Sequence, residues 1–436
     1  MQTGKSTVKD IFDGTRIFKI PVYQRAYSWD VDDNLKDFLS DIVNQHEDRS
    51  YFLGSFLFHI NDTRGEFTVI DIVDGQQRLT TFVIFINSLI QNLISKSSNL
   101  VSQRTKRTYI KDDDVFKLET SNEDSSFLHN VILHEGEVGH IDINTNSQQL
   151  LLNAKEFFDE NLKNFEVKVL EKIYKTVIDA DVLLYVVDKI NTATQIFELL
   201  NDRGRKLTDL ESIKSFLMYN TGLVSSNPDQ IITNIQHDFA EIYRLVEKYE
   251  ISDRDVLRYH TIAFESCPAD YQEKPKEFIK NKISKLVNDP SMKANALSEI
   301  VTYSKRLKDS FIIYSKIQDV KATNQNLAHL FMIGRVAPYY PVLMSVFKEH
   351  SGQFDELLTS INRFTFRASI VGLRSNGESY LYTKLRKKED VLVLVNDFTN
   401  ENWWNINKRA KEAIDYTNYY EWISKKIVRF ILFSYE

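Results

Sequence analysis

The sequence predicts an α+β fold: a small β-sheet with helices in the first half of the chain, followed by a mainly helical domain. Three observations carry this. Stretches with strand-like patterning lie before residue 190, helical periodicity fills the remainder, and 13 Gly and 7 Pro in 436 residues leave few tight turns for an all-β protein. A chain of this length exceeds what one hydrophobic core usually supports, so two domains are expected. They are placed at 1–220, with a polar and helical insertion over about 95–180, and at 221–436, meeting in "YNTGLVSSNPDQ".

The elements follow in order. "RIFKIPVYQRAYSWD" reads as a short strand, a proline-marked turn and an aromatic loop; "VDDNLKDFLSDIVNQH" then places Leu35, Phe38, Leu39 and Ile42 on one face of a helix. "YFLGSFLFHI" and "EFTVIDIVD" are rich in β-branched and aromatic residues and flank the turn-like "NDTRG", which predicts a hairpin. From Leu79, the set Leu79, Phe82, Val83, Ile86, Leu89, Ile90 and Leu93 has the spacing of a buried helical face. Residues 95–126 are polar and read as a surface excursion with little regular structure. Helical patterns return over about 147–176, "DVLLYVVD" reads as a strand, and beyond residue 220 the amphipathic stretches are helical.

Composition removes several functional classes. With 55 basic and 61 acidic residues the net charge is -6, so no global field draws the molecule to DNA or an anionic membrane, and nucleic-acid contact must be local. A single cysteine, Cys267, excludes an internal disulfide and a thiolate-rich zinc site, which suits a cytoplasmic setting. No stretch has the length and apolarity of a membrane span, and the N-terminus has no apolar signal core. The nine histidines show neither HxxxH nor HExxH spacing, and neither GxxxxGK[ST] nor GxSxG occurs. Aromatic residues, numerous as they are, read as packing. The basic clusters at Arg104, Lys106 and Arg107 and at Lys384, Arg386, Lys387 and Lys388 read as solvated faces in preference to DNA contacts.

The chemistry concentrates at "IDIVDGQQRLTT", where a strand feeds a helix through glycine. The first amides of such a helix have no intrahelical partners and carry partial positive charge, so the joint suits an anion. Gly75 allows a tight turn, Arg78 offers a bidentate clamp for phosphate, Gln76 and Gln77 offer bridges to a ligand or water, and Asp74 offers a carboxylate for a metal or water. A plain connection with a capping Asp74 would account for "DG" alone. Two further segments add weight. "PVYQRAYSW" sets Gln24 and Arg25 among aromatics, and "TATQIFELLNDRGRKLTDLESIKSFL" reads as a helix, a polar loop holding Asn201, Arg203, Gly204, Arg205 and Lys206, and a second helix opened by a Thr208–Glu211 capping box.

Taken in order, "IPVYQRAYSW", "YFLGSFLF", "IDIVDGQQRLTT" and "FELLNDRGRKLTDLESIKSFL" closely resemble the N-terminal domain of GmrSD-type (type IV) restriction endonucleases, a ParB-like domain marked by DGQQR. The resemblance runs from about residue 15 to 220. It implies a nucleotide-binding and nucleotide-hydrolysing component of prokaryotic anti-phage defence that acts on modified DNA. It also implies a nucleoside triphosphate (GTP or another) with Mg²⁺ as cofactors.

By position, the signature falls on Asp74, Gly75, Gln76, Gln77 and Arg78, and YQRxYSW on Tyr23, Gln24, Arg25, Tyr27, Ser28 and Trp29. LNxxGxxLT falls on Asn201, Gly204, Leu207 and Thr208, and Lys214 matches a recurring lysine. The implied catalytic set is Asp74, Gln76, Gln77 and Arg78, with Asp74 on the metal; Tyr23, Gln24, Arg25, Gly75, Arg78, Asn201, Arg203, Gly204 and Lys214 would bind the nucleotide.

Two-domain members continue into an HNH nuclease whose histidines serve the metal and act as general base. No histidine follows His350, so the nuclease is expected on a separate subunit or domain and not within these residues. DNA is the expected macromolecular partner, and self-association is compatible with the sequence. Two rival functions stand beside the NTPase: a non-catalytic module that reads DNA or recruits a nuclease with its pocket merely occupied, and a nuclease built from unassigned carboxylates.

Overall fold

The computed structural model describes residues 1–46, 49–120, 124–134, 141–190, 192–193, 196–197, 207–373, 377–390, 393, 405–415 and 425–435. The chain divides into two compact units, Met1–Glu250 and Ile251–Glu436.

The first unit is built on a six-stranded mixed sheet. Its strands are β1 (Gly4–Thr7), β2 (Arg16–Ile20), β3 (Phe52–Arg64), β4 (Phe67–Asp74), β7 (Leu118–Thr120) and β8 (Asp181–Val187), in the spatial order β1-β8-β3-β4-β2-β7. The expected hairpin is present: β3 and β4 pair antiparallel from Leu57↔Asp74 to Arg64↔Phe67. β2 lies parallel to β4 with Ile17 opposite Val69 and Lys19 opposite Asp71. Parallel neighbours send their C-terminal ends to the same edge of a sheet, and this pairing decides which loops meet.

Helix α3 (Gln76–Ser95) follows β4 directly and runs through the core. The seven apolar positions expected on one face are all buried, and so are Thr81, Ile84, Phe85, Asn87 and Ser88 on the others. The cause is enclosure on several sides. Phe82 meets Phe12 of helix α1 (Val8–Phe12) with 5.3 Å between ring centroids, while Phe85 meets Phe38 of α2 (Lys36–Val43) at 5.5 Å and Phe158 of helix Asn146–Lys163 at 5.1 Å.

The excursion at 95–126 is more ordered than expected. It holds α4 (Gln103–Tyr109), the short hairpin β5 (Lys111–Asp112) and β6 (Val115–Phe116), and β7, which adds to the main sheet beside β2 with Phe18 opposite Leu118. Strands of two or three residues are too short to show alternation. The pattern is further hidden by Lys117, only 2% exposed, whose Nζ donates to the Gly14 carbonyl at 3.3 Å and lies 3.7 Å from Asp112.

The compact unit also carries past the turn near residue 225. Helix Pro228–Tyr249 buries Ile232, Ile235, Phe239, Ile242 and Leu245 and packs on helix Asp209–Val224, so it belongs with the first unit. The unit Ile251–Glu436 is helical among its described residues, as the periodicity predicts, with a core that includes Leu327, Leu330, Leu343, Leu357 and Ile361. Its aromatic residues pack against one another: Tyr340 lies 5.0 Å from Tyr259 and 4.7 Å from Tyr314. Among the described residues, no helix is long and apolar enough to cross a membrane.

Candidate functional site

The site lies where β2 and β4 end. Gly75 follows β4 with φ +89° and ψ 9° and acts as the N-cap of α3. A Cβ there would fall 2.4 Å from a ring carbon of Phe56, which is fully buried, so glycine is required by conformation and by space. On neighbouring β3, Gly54 sits at an irregularity in the pairing, and a Cβ at that position would fall 2.3 Å from Arg78 Nη1. Arg78 therefore lies over bare backbone, donating to the Ser55 carbonyl at 3.3 Å with its guanidinium 5.9 Å from the Phe56 centroid.

The aromatic loop after β2 is fastened over this edge by side-chain amides. Gln24 Nε2 donates to the Val73 carbonyl at 2.7 Å. Gln76 Nε2 donates to the Arg25 carbonyl at 3.2 Å; Gln77 Nε2 donates to the Ala26 carbonyl at 3.0 Å and its Oε1 accepts from the Ser28 N–H at 2.9 Å. Tyr27 OH and Thr81 Oγ1 are 2.8 Å apart. Lys214 is 6% exposed and donates to the Tyr23 carbonyl at 2.8 Å, between the rings of Tyr23 and Tyr243 at 5.5 and 5.1 Å. Burial pushes its ammonium down to about 8, with Glu211 opposing and Arg25 reinforcing the shift.

Five of the anticipated residues, Tyr23, Gln24, Gln76, Gln77 and Lys214, thus hold the loop. Both ends of the Gln77 amide are engaged with backbone. Beneath the loop, Gln76 Oε1 and Thr120 Oγ1 are buried with no partner among the described residues, and both border a cavity of about 20 Å³. That is room for one water.

Charge gathers on the outer side. Arg25 Nε lies 3.1 Å from Glu211 Oε1, and Glu211 Oε2 accepts from the Thr208 N–H at 2.9 Å in the expected capping box. The carboxyl of Asp74 is pushed up by burial and further by Glu211, while the Gly75 N–H and Arg78 pull it down. Arg25, Glu211, Asp74 and Arg78 therefore form one linked set, with Lys214 behind Glu211. Sequence reasoning saw Glu211 only as a cap; its approach to Arg25 depends on chain segments far apart in sequence. Asn201, Arg203 and Gly204, together with Arg205 and Lys206, lie outside the described residues.

Removing the Gln77 amide tests the loop's anchorage. Gln77→Ala is expected to cost about 1–3 kcal/mol, because the half-buried Ala26 carbonyl and Ser28 N–H lose their partner. Amide hydrogen exchange at Ser28 should accelerate by at least tenfold. Unchanged exchange would show that the loop is held by other contacts.

Comparison with curated proteins found no match. Residues 8–218 match the family model described as "GmrSD restriction endonuclease, N-terminal domain". That span begins in α1, takes in the whole sheet after β1, and ends in the helix carrying Glu211 and Lys214, so it contains every residue of the linked set. Residues 8–218 therefore form a GmrSD restriction endonuclease N-terminal domain, a domain of restriction-system components.

Proposed function

We propose that the edge formed by the ends of β2 and β4 binds and hydrolyses a nucleoside triphosphate with Mg²⁺, and that the chain is a nucleotide-dependent component of prokaryotic defence acting on modified phage DNA. The observation that carries this reading is the convergence of Arg25, Arg78, Asp74 and Glu211 beside the first amides of α3. Two guanidinium groups and a helix N-terminus supply positive charge for a polyphosphate. Gln24, Gln76, Gln77 and Lys214 act as positioning residues, because they fix the backbone on either side of Arg25.

The donor set suits Mg²⁺. This ion commonly takes one or two protein carboxylates and fills its remaining positions with phosphate oxygens and water. Asp74, with Glu211 as neighbour, provides that number; burial raises the Asp74 carboxyl and Glu211 adds to it, and a cation would relieve both. Among the described residues there is no group of three or more His, Cys, Asp or Glu that would make a site from protein ligands alone. Bound there, Mg²⁺ would supply charge neutralisation for the phosphates. The chain's own contribution is orientation: Arg78 is held by Ser55 and Phe56, and Arg25 by Glu211, before ligand arrives.

Titration calorimetry with each of the four ribonucleoside triphosphates and Mg²⁺, paired with phosphate release, tests the proposal. Arg78→Ala is expected to weaken binding about 10–150-fold, the worth of a charged hydrogen bond of roughly 1.5–3 kcal/mol. Asp74→Asn is expected to abolish Mg²⁺-dependent release while leaving the melting temperature close to wild type. No binding of any nucleotide by the wild-type chain would overturn the proposal. Binding without turnover, unaffected by Asp74→Asn, would leave a non-catalytic nucleotide-occupied module.

A further inference from the structure

The excursion that the sequence presents as featureless builds an open hollow of about 470 Å³ between the last turn of α4, the hairpin β5–β6 and the turn at residues 128–134. Lys106, Arg107, Lys111, His129 and His134 line it, with Asp113 as the acidic member of the lining. Only the first two belong to a basic cluster legible in the sequence. Folding adds a third cation and two imidazoles.

The wall is organised. Phe116 and His129 are stacked, with centroids 3.9 Å apart and planes 4° from parallel, and Lys111 Nζ stands 5.0 Å from the Phe116 centroid. His129 Nε2 lies 2.9 Å from the Leu118 carbonyl; since a carbonyl only accepts, Nε2 carries hydrogen and the ring is pinned to β7. With His129 and Lys111 both against its ring, Phe116 offers no stacking surface to a base, which argues against a single-strand binding mode. The hollow presents N–H donors on a fixed aromatic support.

Its acids are weak competitors. Arg107 meets Asp113 at 3.1 Å with both side chains largely exposed, and Lys111 meets the exposed Asp114 at 3.7 Å. Exposed pairs of this kind are worth about 0–1 kcal/mol, so a phosphate can displace them. The third acid of the run, Asp112, is drawn to the buried Lys117.

We propose that this hollow is a contact site for the phosphate backbone of duplex DNA, independent of base sequence and of base modification. The proposal rests on the reading that DNA is the partner of this chain, and it is separate from the nucleotide pocket. It explains how a chain of net charge -6 can approach a polyanion through one local patch.

The test is fluorescence anisotropy of a labelled, unmodified duplex with the full chain over a range of salt concentrations. The triple variant K106E/R107E/K111E is expected to bind at least tenfold more weakly, with the slope of log K against log salt reduced by about 2–3, near 0.9 for each phosphate that is no longer neutralised. The control K384E/K387E/K388E should bind as the wild type does. The neutral double variant R107A/K111A, expected to reduce the slope by about 2, keeps the test valid if charge reversal lowers the melting temperature. Wild-type affinity and slope in a folded double variant would overturn the site. Failure of the wild-type chain to bind any duplex would overturn the DNA reading with it, whereas nucleotide titration reports separately on the edge at Arg78.

Discussion

Gly75→Ala is expected to destabilise the first unit by about 2–5 kcal/mol: about 1–2 for placing a non-glycine residue in the left-handed region, and about 1–3 for forcing a methyl group into a packed wall. The methyl would stand 2.4 Å from the ring of Phe56, which is buried against Phe58 and beneath Arg78 and has no exposed side toward which to yield. Denaturant unfolding followed by a probe in the first unit measures the cost. Phe56→Leu in the same chain should recover part of the steric loss and none of the backbone strain, so the double mutant should be more stable than the two single changes sum to. Simple additivity would show that the ring is not what glycine avoids. Under the proposed function, nucleotide affinity should fall with the structure, because Gly75 sets the direction of the first amides of α3.

The second large effect lies in the helical unit. Glu265, 1% exposed at its side chain, accepts from Arg306 Nε at 2.7 Å and Lys282 Nζ at 3.1 Å; Glu299 accepts from the same two cations at 2.8 Å each. His260 Nε2 stands 3.5 Å away, and its Nδ1 is 2.7 Å from Ser310 Oγ. The Ser310–His260–Glu265 series has the residue types of a nucleophilic triad, but His260 is fully buried, so no substrate reaches it and the arrangement is structural. Glu265→Ala removes the buried one of the two carboxylates that Arg306 and Lys282 share, leaving Glu299, and is expected to cost about 3 kcal/mol, the low end for breaking a buried pair. Glu265→Gln, which keeps the shape, should cost less.

Acid should reproduce part of this loss. Burial pushes the Glu265 carboxyl up, but His260 and Arg306 outweigh it and hold the group at about 2, below its ordinary 4.5. A depressed carboxyl stabilises the fold fully above the unfolded value, and the benefit fades as pH falls from about 4.5 through about 2. Thermal melts of wild type and Glu265→Gln over that window should converge as pH drops. Parallel curves would show that this carboxylate is not what acid titrates.

Much of the site was legible because it is built from local chemistry. The apolar alternation of "FTVIDIVD" makes β4, the glycine stops it, and the spacing from Leu79 onward makes α3, so the strand-to-helix joint follows from neighbours in sequence. The Thr208–Glu211 capping box likewise marked the start of its helix correctly. Less legible was the division of labour among polar residues. Gln76 and Gln77 look alike in the sequence as groups for a ligand, yet their amides face the Arg25–Ser28 backbone, since that loop passes over them. Nothing local distinguishes a glutamine that meets solvent from one that meets another segment's carbonyl.

By itself, then, the sequence determined the α+β class, the β3–β4 hairpin with the helix that follows it, the start of the helix at Thr208 and the helical character of the second unit, because periodicity, glycine and capping act over a few residues, while four ordered motifs carried the family. Tertiary structure alone decided that β2 lies parallel to β4 and so delivers Arg25 to the edge where Arg78 and Asp74 stand, that Glu211 pairs with Arg25, that helix Pro228–Tyr249 joins the first unit, and that Lys111 and His129 complete a hollow begun by Lys106 and Arg107. Each of these outcomes depends on which distant surface satisfies a buried charge or apolar face. That choice is made by the packing of the whole unit and leaves no periodic trace in the chain.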